Sequence, residues 1–326
     1  MSLPSFQLHR PKSLGEAVDL LSKHADEIKV IAGGTDLLPS MKQKLFTPPH
    51  VLDLRAISEL RGIYEAPGGG LSIGALTTLA AIEHSPLVRR DYSVLYQAAK
   101  TVASPVLRNM GTIGGNICLD TRCLWYNQSL LWRKSCGFCL KKDGDLCHVA
   151  PGGKTCWAAF SGDTAPALLC LGAEVEIAGP NGLRRVPLAG FYINDGIVHL
   201  HLSPSEIVTR IYLSEVFKGW HGSYQKLRVR GSIDYPLAGV AVALKMRQGR
   251  VEDARMAITA VNPAPHLVKD ADAHLIGAEV GDDLAEKIGE LAARIAKPLT
   301  TSALTPEYRR EMVKVLAKRA LLAAAN

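Results

Sequence analysis

The chain has 326 residues, 47% of them hydrophobic, enough for two or three packed domains. Its net charge of +7 is dispersed, with no Lys/Arg stripe and interleaved aromatics, which excludes nucleic acid as the expected partner. No apolar run approaches the roughly 20 residues that span a bilayer, and the opening MSLPSFQLHRPKSLGEAV lacks a leader pattern, so the expectation is a cytoplasmic protein with reduced thiols and no membrane partner.

The first third alternates helix and strand. Ser13 and Glu16 have the spacing of a capping box, and Ala17, Leu20, Leu21 and His24 follow at helical intervals. IKVIA (28–32) reads as a strand that ends abruptly in Gly33-Gly34-Thr35-Asp36, and HVLDL (50–54) reads as another. EAPGGGLSIGA (65–75) has the Gly/Pro punctuation of a turn before a strand. Residues 91–103 predict a helix, and SPVLRNMGTIGGN (104–116) breaks into loop. TAPALLCLGAEVEIAGPNGLRRVPL predicts a helix, a strand and a hairpin. From about residue 200, EIVTRIYL, AGVAVALKMRQGRVEDARMAITAV and the amphipathic segments 282–296 and 305–323 predict an antiparallel sheet backed by helices. The expected domain boundary falls near 178–185, around AGPNG.

Two glycine pairs follow apolar runs. AGGTDLLP (32–39) and TIGGN (112–116) each set Gly-Gly beside a hydroxyl side chain. Glycine lets backbone N–H groups approach a ligand without a Cβ in the way, and such amides suit a pyrophosphate. Either loop alone also reads as a tight turn, and neither is G-x-G-x-x-G, so a Rossmann site is not indicated. Together they can close over one diphosphate from opposite sides.

AGGTDLLP and ASPVLRNMGTIGGNI resemble the two flavin-binding signatures of the FAD-carrying medium subunits of the molybdenum hydroxylases, a family with xanthine dehydrogenase-type and carbon monoxide dehydrogenase-type members. GDTAPALLCLGAEVEI (162–177) and YQKLRVRGSIDYPLAGVAVAL (224–244) are similar to it in order and spacing, so the resemblance covers essentially the whole chain. It implies an α+β architecture. An FAD-binding domain of vanillyl-alcohol-oxidase (PCMH) type would occupy 1–178, in subdomains of about 1–54 and 55–178, with an insertion at about 118–160. A smaller α+β domain of CO-dehydrogenase flavoprotein type, an antiparallel sheet with helices, would occupy 179–326. The resemblance also implies that Lys29, Val30, Ile31, Ala32, Gly33, Gly34, Thr35 and Asp36 wrap the FAD diphosphate and ribityl chain. Thr112, Gly114, Gly115 and Asn116 would continue that site, with Val102 beside the ring system. Asp163 and Lys226 match a family carboxylate and lysine near the flavin, where an acid can bond ribityl hydroxyls and a cation can stabilise an anionic reduced ring. Without the resemblance, Asp163 reads as a helix N-cap and Lys226 as a solvated strand-end lysine.

Five of the seven cysteines fall within 121–156, where most family members have only a short connection. Clustered thiols bond something: each other, a metal or an iron–sulfur core. On spacing alone, Cys136-x2-Cys139 with His148 and Cys156 also suits a structural zinc. The spacing Cys123-x15-Cys139-x7-Cys147-x8-Cys156 resembles the insertion in FAD subunits of the 4-hydroxybenzoyl-CoA reductase type, which implies a [4Fe–4S] cluster on those four residues. Cys136 is then left over, Cys118 is expected near FAD, and Cys170 in a core helix. Trp125, Trp132 and Trp157 would shield the cluster, and Lys141 and Lys142 would favour its reduced state.

No nucleophile elbow and no H-E-x-x-H motif is present, so no catalytic residue is expected on this chain. The resemblance implies partners instead: a molybdopterin-containing large subunit, a small subunit with two [2Fe–2S] clusters, and ferredoxin as electron donor, in a dimer of heterotrimers. The expected function is FAD and [4Fe–4S] electron transfer for reductive dehydroxylation of an aromatic acyl-CoA. One alternative is the FAD subunit of an oxidative molybdenum hydroxylase that passes electrons to NAD or another acceptor. The other is a zinc-stapled scaffold protein.

Overall fold

The computed structural model describes residues 2–326. Three short strands open the chain: β1 (Gln7–His9), β2 (Ile28–Ile31) and β3 (His50–Asp53). They form a parallel sheet in the order β1-β3-β2. Helix Leu14–His24 links β1 to β2 and buries Ala17, Val18 and Leu21 against Ile28 and Leu52. Its start is the one the Ser13/Glu16 spacing predicts. Ser13 Oγ accepts the Glu16 N–H at 3.2 Å, while the Glu16 carboxylate accepts from Lys12 N–H at 2.8 Å, one residue before the expected reciprocal donor.

The next five strands are β4 (Ile63–Glu65), β5 (Leu71–Gly74), β6 (Glu174–Gly179), β7 (Gly182–Pro187) and β8 (Ile207–Leu213). They form one antiparallel sheet in the order β4-β5-β8-β6-β7. This moves the expected boundary. AGPNG is only the tight β6–β7 hairpin, and EIVTRIYL, assigned from sequence to the C-terminal sheet, is β8 at the centre of this one. The change of sheet comes after Leu213 rather than near 178. An alternating strand pattern states that a partner exists and leaves open which sheet supplies it.

A four-stranded antiparallel sheet follows: β9 (His221–Leu227), β10 (Ala238–Arg247), β11 (Arg250–Thr259) and β12 (His266–Leu267), in the order β12-β11-β10-β9. The run AGVAVAL in β10 is apolar on both faces because both faces are covered. Val240, Val242 and Leu244 point into a core shared with helices Asp282–Ile295 and Pro306–Ala325. Ala241 and Ala243 point the other way, into the core of the N-terminal part. Small side chains on that face let helix Thr164–Cys170 approach closely; Cys170 Sγ lies 3.4 Å from the Ala241 carbonyl. Cys170 is thus a core residue, as expected. The architecture is the α+β arrangement anticipated, and no helix among the described residues is long and apolar enough to cross a membrane.

Arg309 locks the last helix to the sheet. It is fully buried, and its guanidinium donates to the carbonyls of Leu237 (2.9 Å), Leu299 (2.9 Å) and Ala260 (2.6 Å). Burial lowers its pKa to about 10. Replacing Arg309 with Met strands the buried Leu237 and Ala260 carbonyls, whereas the Leu299 carbonyl keeps the Thr301 N–H, so denaturant unfolding should show a loss of about 2 kcal/mol or more. Arg309→Lys, which keeps the charge without the fork, should recover only part of it.

Candidate functional site

β2 delivers the first glycine loop and the helix Pro105–Arg108 delivers the second. They meet. A Cβ on Gly33 would stand 2.0 Å from the Met110 carbonyl oxygen, so the backbone of one loop lies directly on the other. Gly34 adopts φ +73°, a left-handed conformation that favours glycine. Thr112 caps helix Ile113–Ile117 and accepts the Gly115 N–H at 3.1 Å. The Gly114 N–H donates to the Ala75 carbonyl at 2.9 Å, and a Cβ there would meet Ala75 at 2.7 Å. Gly115, by contrast, is exposed, and a Cβ on it would meet only Thr112 Oγ1. The expectation that each glycine spares room for a ligand therefore fits Gly115 and needs correcting at Gly33 and Gly114, where the room is taken by neighbouring protein.

Asn116 extends this loop toward Asp163. Its side-chain oxygen accepts from Thr164 N–H (3.0 Å) and Thr164 Oγ1 (2.6 Å). Asp163 holds the N-cap position of helix Thr164–Cys170, yet its side chain makes no capping bond. Its two oxygens accept instead from Tyr224 Oη (2.7 Å) and Lys226 Nζ (3.0 Å). Both members of the Asp163–Lys226 pair are about 3% exposed, so Lys226 is not the solvated strand-end residue its sequence position also allowed. Lys226 Nζ also donates to the Thr101 carbonyl at 3.0 Å, which sets it next to Val102. Burial first, and the Asp163 charge second, raise the Tyr224 phenol well above its ordinary range. Lys29 lies apart from these groups, with its ammonium 5.2 Å from the centre of the Phe46 ring, and Val30 is exposed on strand β2.

Asp36 ends the first loop, and three-dimensional structure adds two partners the sequence reading missed. It forms an ion pair with Arg122 and accepts from Tyr235 Oη at 2.9 Å. The Arg122 guanidinium lies over the Tyr235 ring, 4.1 Å from its centre. Both residues sit in recognisable words, TRC and IDYPL, but nothing local in either word points to Asp36.

Arg122 immediately precedes Cys123, and the cysteine tract begins there. Cys123, Cys139, Cys147 and Cys156 are all buried and line one cavity with Trp125, Tyr126, Lys141, His148 and Trp157. Cys136 does not line it; it ends helix Leu130–Ser135. Cys118 packs half-buried against the central core. Trp125 stacks on His148, and Trp132 borders Trp125 from the exposed side. The tract has little regular structure of its own, and arginine and lysine anchor it. Arg133, 1% exposed, donates to the Lys44 carbonyl (2.8 Å) and the Gln128 carbonyl (3.3 Å). Lys141 Nζ donates to Asp120 (2.7 Å) and the Gly196 carbonyl (2.7 Å), and also reaches Thr121. Lys142 instead faces outward and pairs with Asp143 at 3.3 Å. Burial pushes the Cys123 thiol up to about 12 and the Cys156 thiol up to about 11. Anionic sulfur at this cavity therefore needs a compensating cation close by.

Gly33→Val should force Met110 and Gly111 away from β2 and open the two loops. Flavin retained per chain, read from absorbance after desalting, should fall by at least about tenfold, whereas Gly15→Ala, where a Cβ meets nothing within 4 Å, should leave it unchanged.

Residues 4–214 match the model of the FAD binding domain in molybdopterin dehydrogenase, and residues 222–324 match the CO dehydrogenase flavoprotein C-terminal domain. The carbon monoxide dehydrogenase medium chain of Afipia carboxidovorans is 32% identical over 318 residues, 97% of this chain and 96% of the relative. The nicotine 6-hydroxylase medium subunit of Paenarthrobacter nicotinovorans is 29% identical over 325 residues, 99% of each. Among solved structures, reconstituted CO dehydrogenase from Oligotropha carboxidovorans superposes with a TM-score of 0.83 at 30% identity, covering 100% of this chain and 99% of that one. The two matched models divide where the sheets divide, between β8 and β9. By sequence and by fold, the chain belongs to the FAD-binding medium subunits of the molybdenum hydroxylase family.

Proposed function

We propose that this subunit carries two redox centres, FAD at the paired glycine loops and a [4Fe–4S] cluster on Cys123, Cys139, Cys147 and Cys156, and that it moves electrons for a molybdenum enzyme of the 4-hydroxybenzoyl-CoA reductase kind. The observation that carries the reading is the convergence of those four thiols, and not Cys136, on one buried cavity. The relatives named above lend the cluster no support. A single zinc ion holds its sulfurs at about 2.3 Å, hence about 3.8 Å from one another. No three of the tract's Cys, His, Asp or Glu ligand atoms lie within 4.8 Å of each other. That spread suits a four-iron core, which seats one thiolate on each iron, better than one ion. It weighs against a zinc-stapled scaffold.

When bound, a flavin exchanges electrons singly or in pairs and an iron–sulfur cluster exchanges them singly, so a subunit with both joins one-electron carriers to two-electron chemistry. The protein's share is to position and insulate. Lys29 to Asp36 with Thr112, Gly114, Gly115 and Asn116 would hold the flavin's diphosphate and ribityl chain. Asp163, fixed by Lys226 and Tyr224, and Val102 would lie toward its ring. The Arg122–Asp36 pair ties the residue before Cys123 to the end of the flavin loop, so the two centres would sit on one rigid unit. Trp125, Tyr126 and Trp157 exclude water from the cysteine cavity, and buried Lys141 sets a positive charge beside it. Leu124, Leu131, Trp132 and Leu146 in the same tract are exposed, and apolar side chains there would suit docking of a small electron carrier such as ferredoxin. Substrate chemistry would take place on a molybdopterin-containing large subunit, with a [2Fe–2S] small subunit between, in a dimer of heterotrimers. Removal of a phenolic hydroxyl there consumes two electrons and two protons and releases water.

A second reading keeps the FAD site and reverses the flow, as in an oxidative hydroxylase that passes electrons outward to NAD or another acceptor; the relatives' names, dehydrogenase and hydroxylase, favour it. The purified complex separates the two. Under the first reading, reduced ferredoxin supports dehydroxylation of an aromatic acyl-CoA; turnover only of an oxidisable substrate with an added acceptor supports the second. For the cluster itself, Cys139→Ser should lower iron by close to four per chain and abolish its EPR signal with FAD retained. Cys136→Ser should change neither. Zinc in the wild-type protein, or loss of the cluster in Cys136→Ser, would sink the assignment.

A further inference from the structure

Outside the flavin loops and the cysteine cavity, three histidines from three separate elements converge. His9 ends β1, His24 ends helix Leu14–His24, and His50 begins β3. His9 Nε2 lies 3.1 Å from His50 Nδ1, and the His24 and His50 rings are 3.9 Å apart between centres. One ring nitrogen from each of the three lies within 4.8 Å of the other two. All three residues are half-buried, so the cluster is open to solvent on one side.

We infer that His9, His24 and His50 form a binding site for one divalent transition-metal ion of the zinc class, with water completing its coordination. Zinc holds imidazole nitrogens at about 2.0–2.1 Å, which places ligand nitrogens about 3.4 Å apart in a tetrahedral shell. The His9–His50 separation is already within a few tenths of an ångström of that value, and a ring nitrogen of His24 lies within 4.8 Å of both. Imidazole alone, without thiolate, suits zinc, nickel and copper rather than calcium or magnesium. Two further features favour a cation. His24 stands in the last turn of an 11-residue helix, where the helix dipole is negative, and Glu27 follows one turn later, against a single nearby lysine, Lys23.

The geometry also gives the ion a role. β1 is only three residues long and meets the sheet through one neighbour, β3. An ion on His9, His24 and His50 would join that edge strand, the crossover helix and the central strand at one point. The site lies at the far end of β2 from the glycine pair. His50 pairs with Ile28 at the start of β2, and Gly33 lies beyond the other end of that strand, on the order of 15 Å away at the usual strand rise. Binding should therefore stiffen the N-terminal sheet without touching the glycine pair.

The test uses the flavin- and iron-loaded protein. Calorimetric titration of wild-type protein with Zn²⁺ should give one site at micromolar or tighter affinity and raise the melting temperature. His24→Gln and His50→Gln should each weaken binding at least about tenfold, with flavin and iron content unchanged as the control for folding. Co²⁺ at the site should give ligand-field bands without sulfur-to-metal charge transfer. Equal affinity in wild type and the double variant overturns the inference, as do failure of wild type to bind and sulfur charge-transfer bands.

Discussion

The backbone of Gly33 rests on the backbone of Met110, and the rest of the proposed flavin site depends on that contact. With a carbonyl oxygen 2.0 Å from where a Cβ would be, residue 33 can only be glycine if the loops are to touch. Once they touch, Thr112 and Gly115 are fixed relative to Thr35 and Asp36. Asn116 then reaches Thr164, and Asp163 turns from its helix to Lys226 and Tyr224. Lys226 closes the circuit on the Thr101 carbonyl. Segments separated by almost two hundred residues are thereby held as one wall, which is what a long cofactor demands of a chain that binds it at many points.

The four-stranded sheet supplies the second constraint. Its alternation of valine and leucine toward the helices with alanine toward the N-terminal part makes one strand serve two cores. Alanine, rather than a larger residue, permits helix Thr164–Cys170 to sit against the strand, and this helix carries Asp163 at its start. The position of a buried carboxylate near the flavin loops thus follows from the size of side chains on the opposite sheet.

The cysteine tract solves a different problem. It has too few apolar residues and too little regular structure to fold on its own. It is pinned by long cationic side chains that satisfy carbonyls of the surrounding domain: Arg133 on Lys44, Lys141 on Gly196. Gly196 is itself close-packed, since a Cβ there would stand 2.7 Å from Cys156 Sγ. The insertion and its host are therefore fitted to each other at both ends of the cavity.

Much was determined by sequence alone. Local periodicity and capping placed the first helix, the strand that leads out of it, the HVLDL strand and the two C-terminal helices, because these depend on spacing within one segment. The glycine pairs and the uneven distribution of thiols drew attention to loops that the fold does bring into contact or onto one cavity, because both signals are local to a few residues. Tertiary structure alone decided what depends on contacts between distant segments. It assigned EIVTRIYL to the middle of the first large sheet, since a strand's pattern does not name its neighbour. It gave Gly33 a protein neighbour, drew Asp163 away from its cap, and brought Arg122 and Tyr235 to Asp36. It also separated Cys136 from four other cysteines that its spacing resembles, since sequence distance along an irregular loop carries no direction in space, whereas the walls of a buried cavity do.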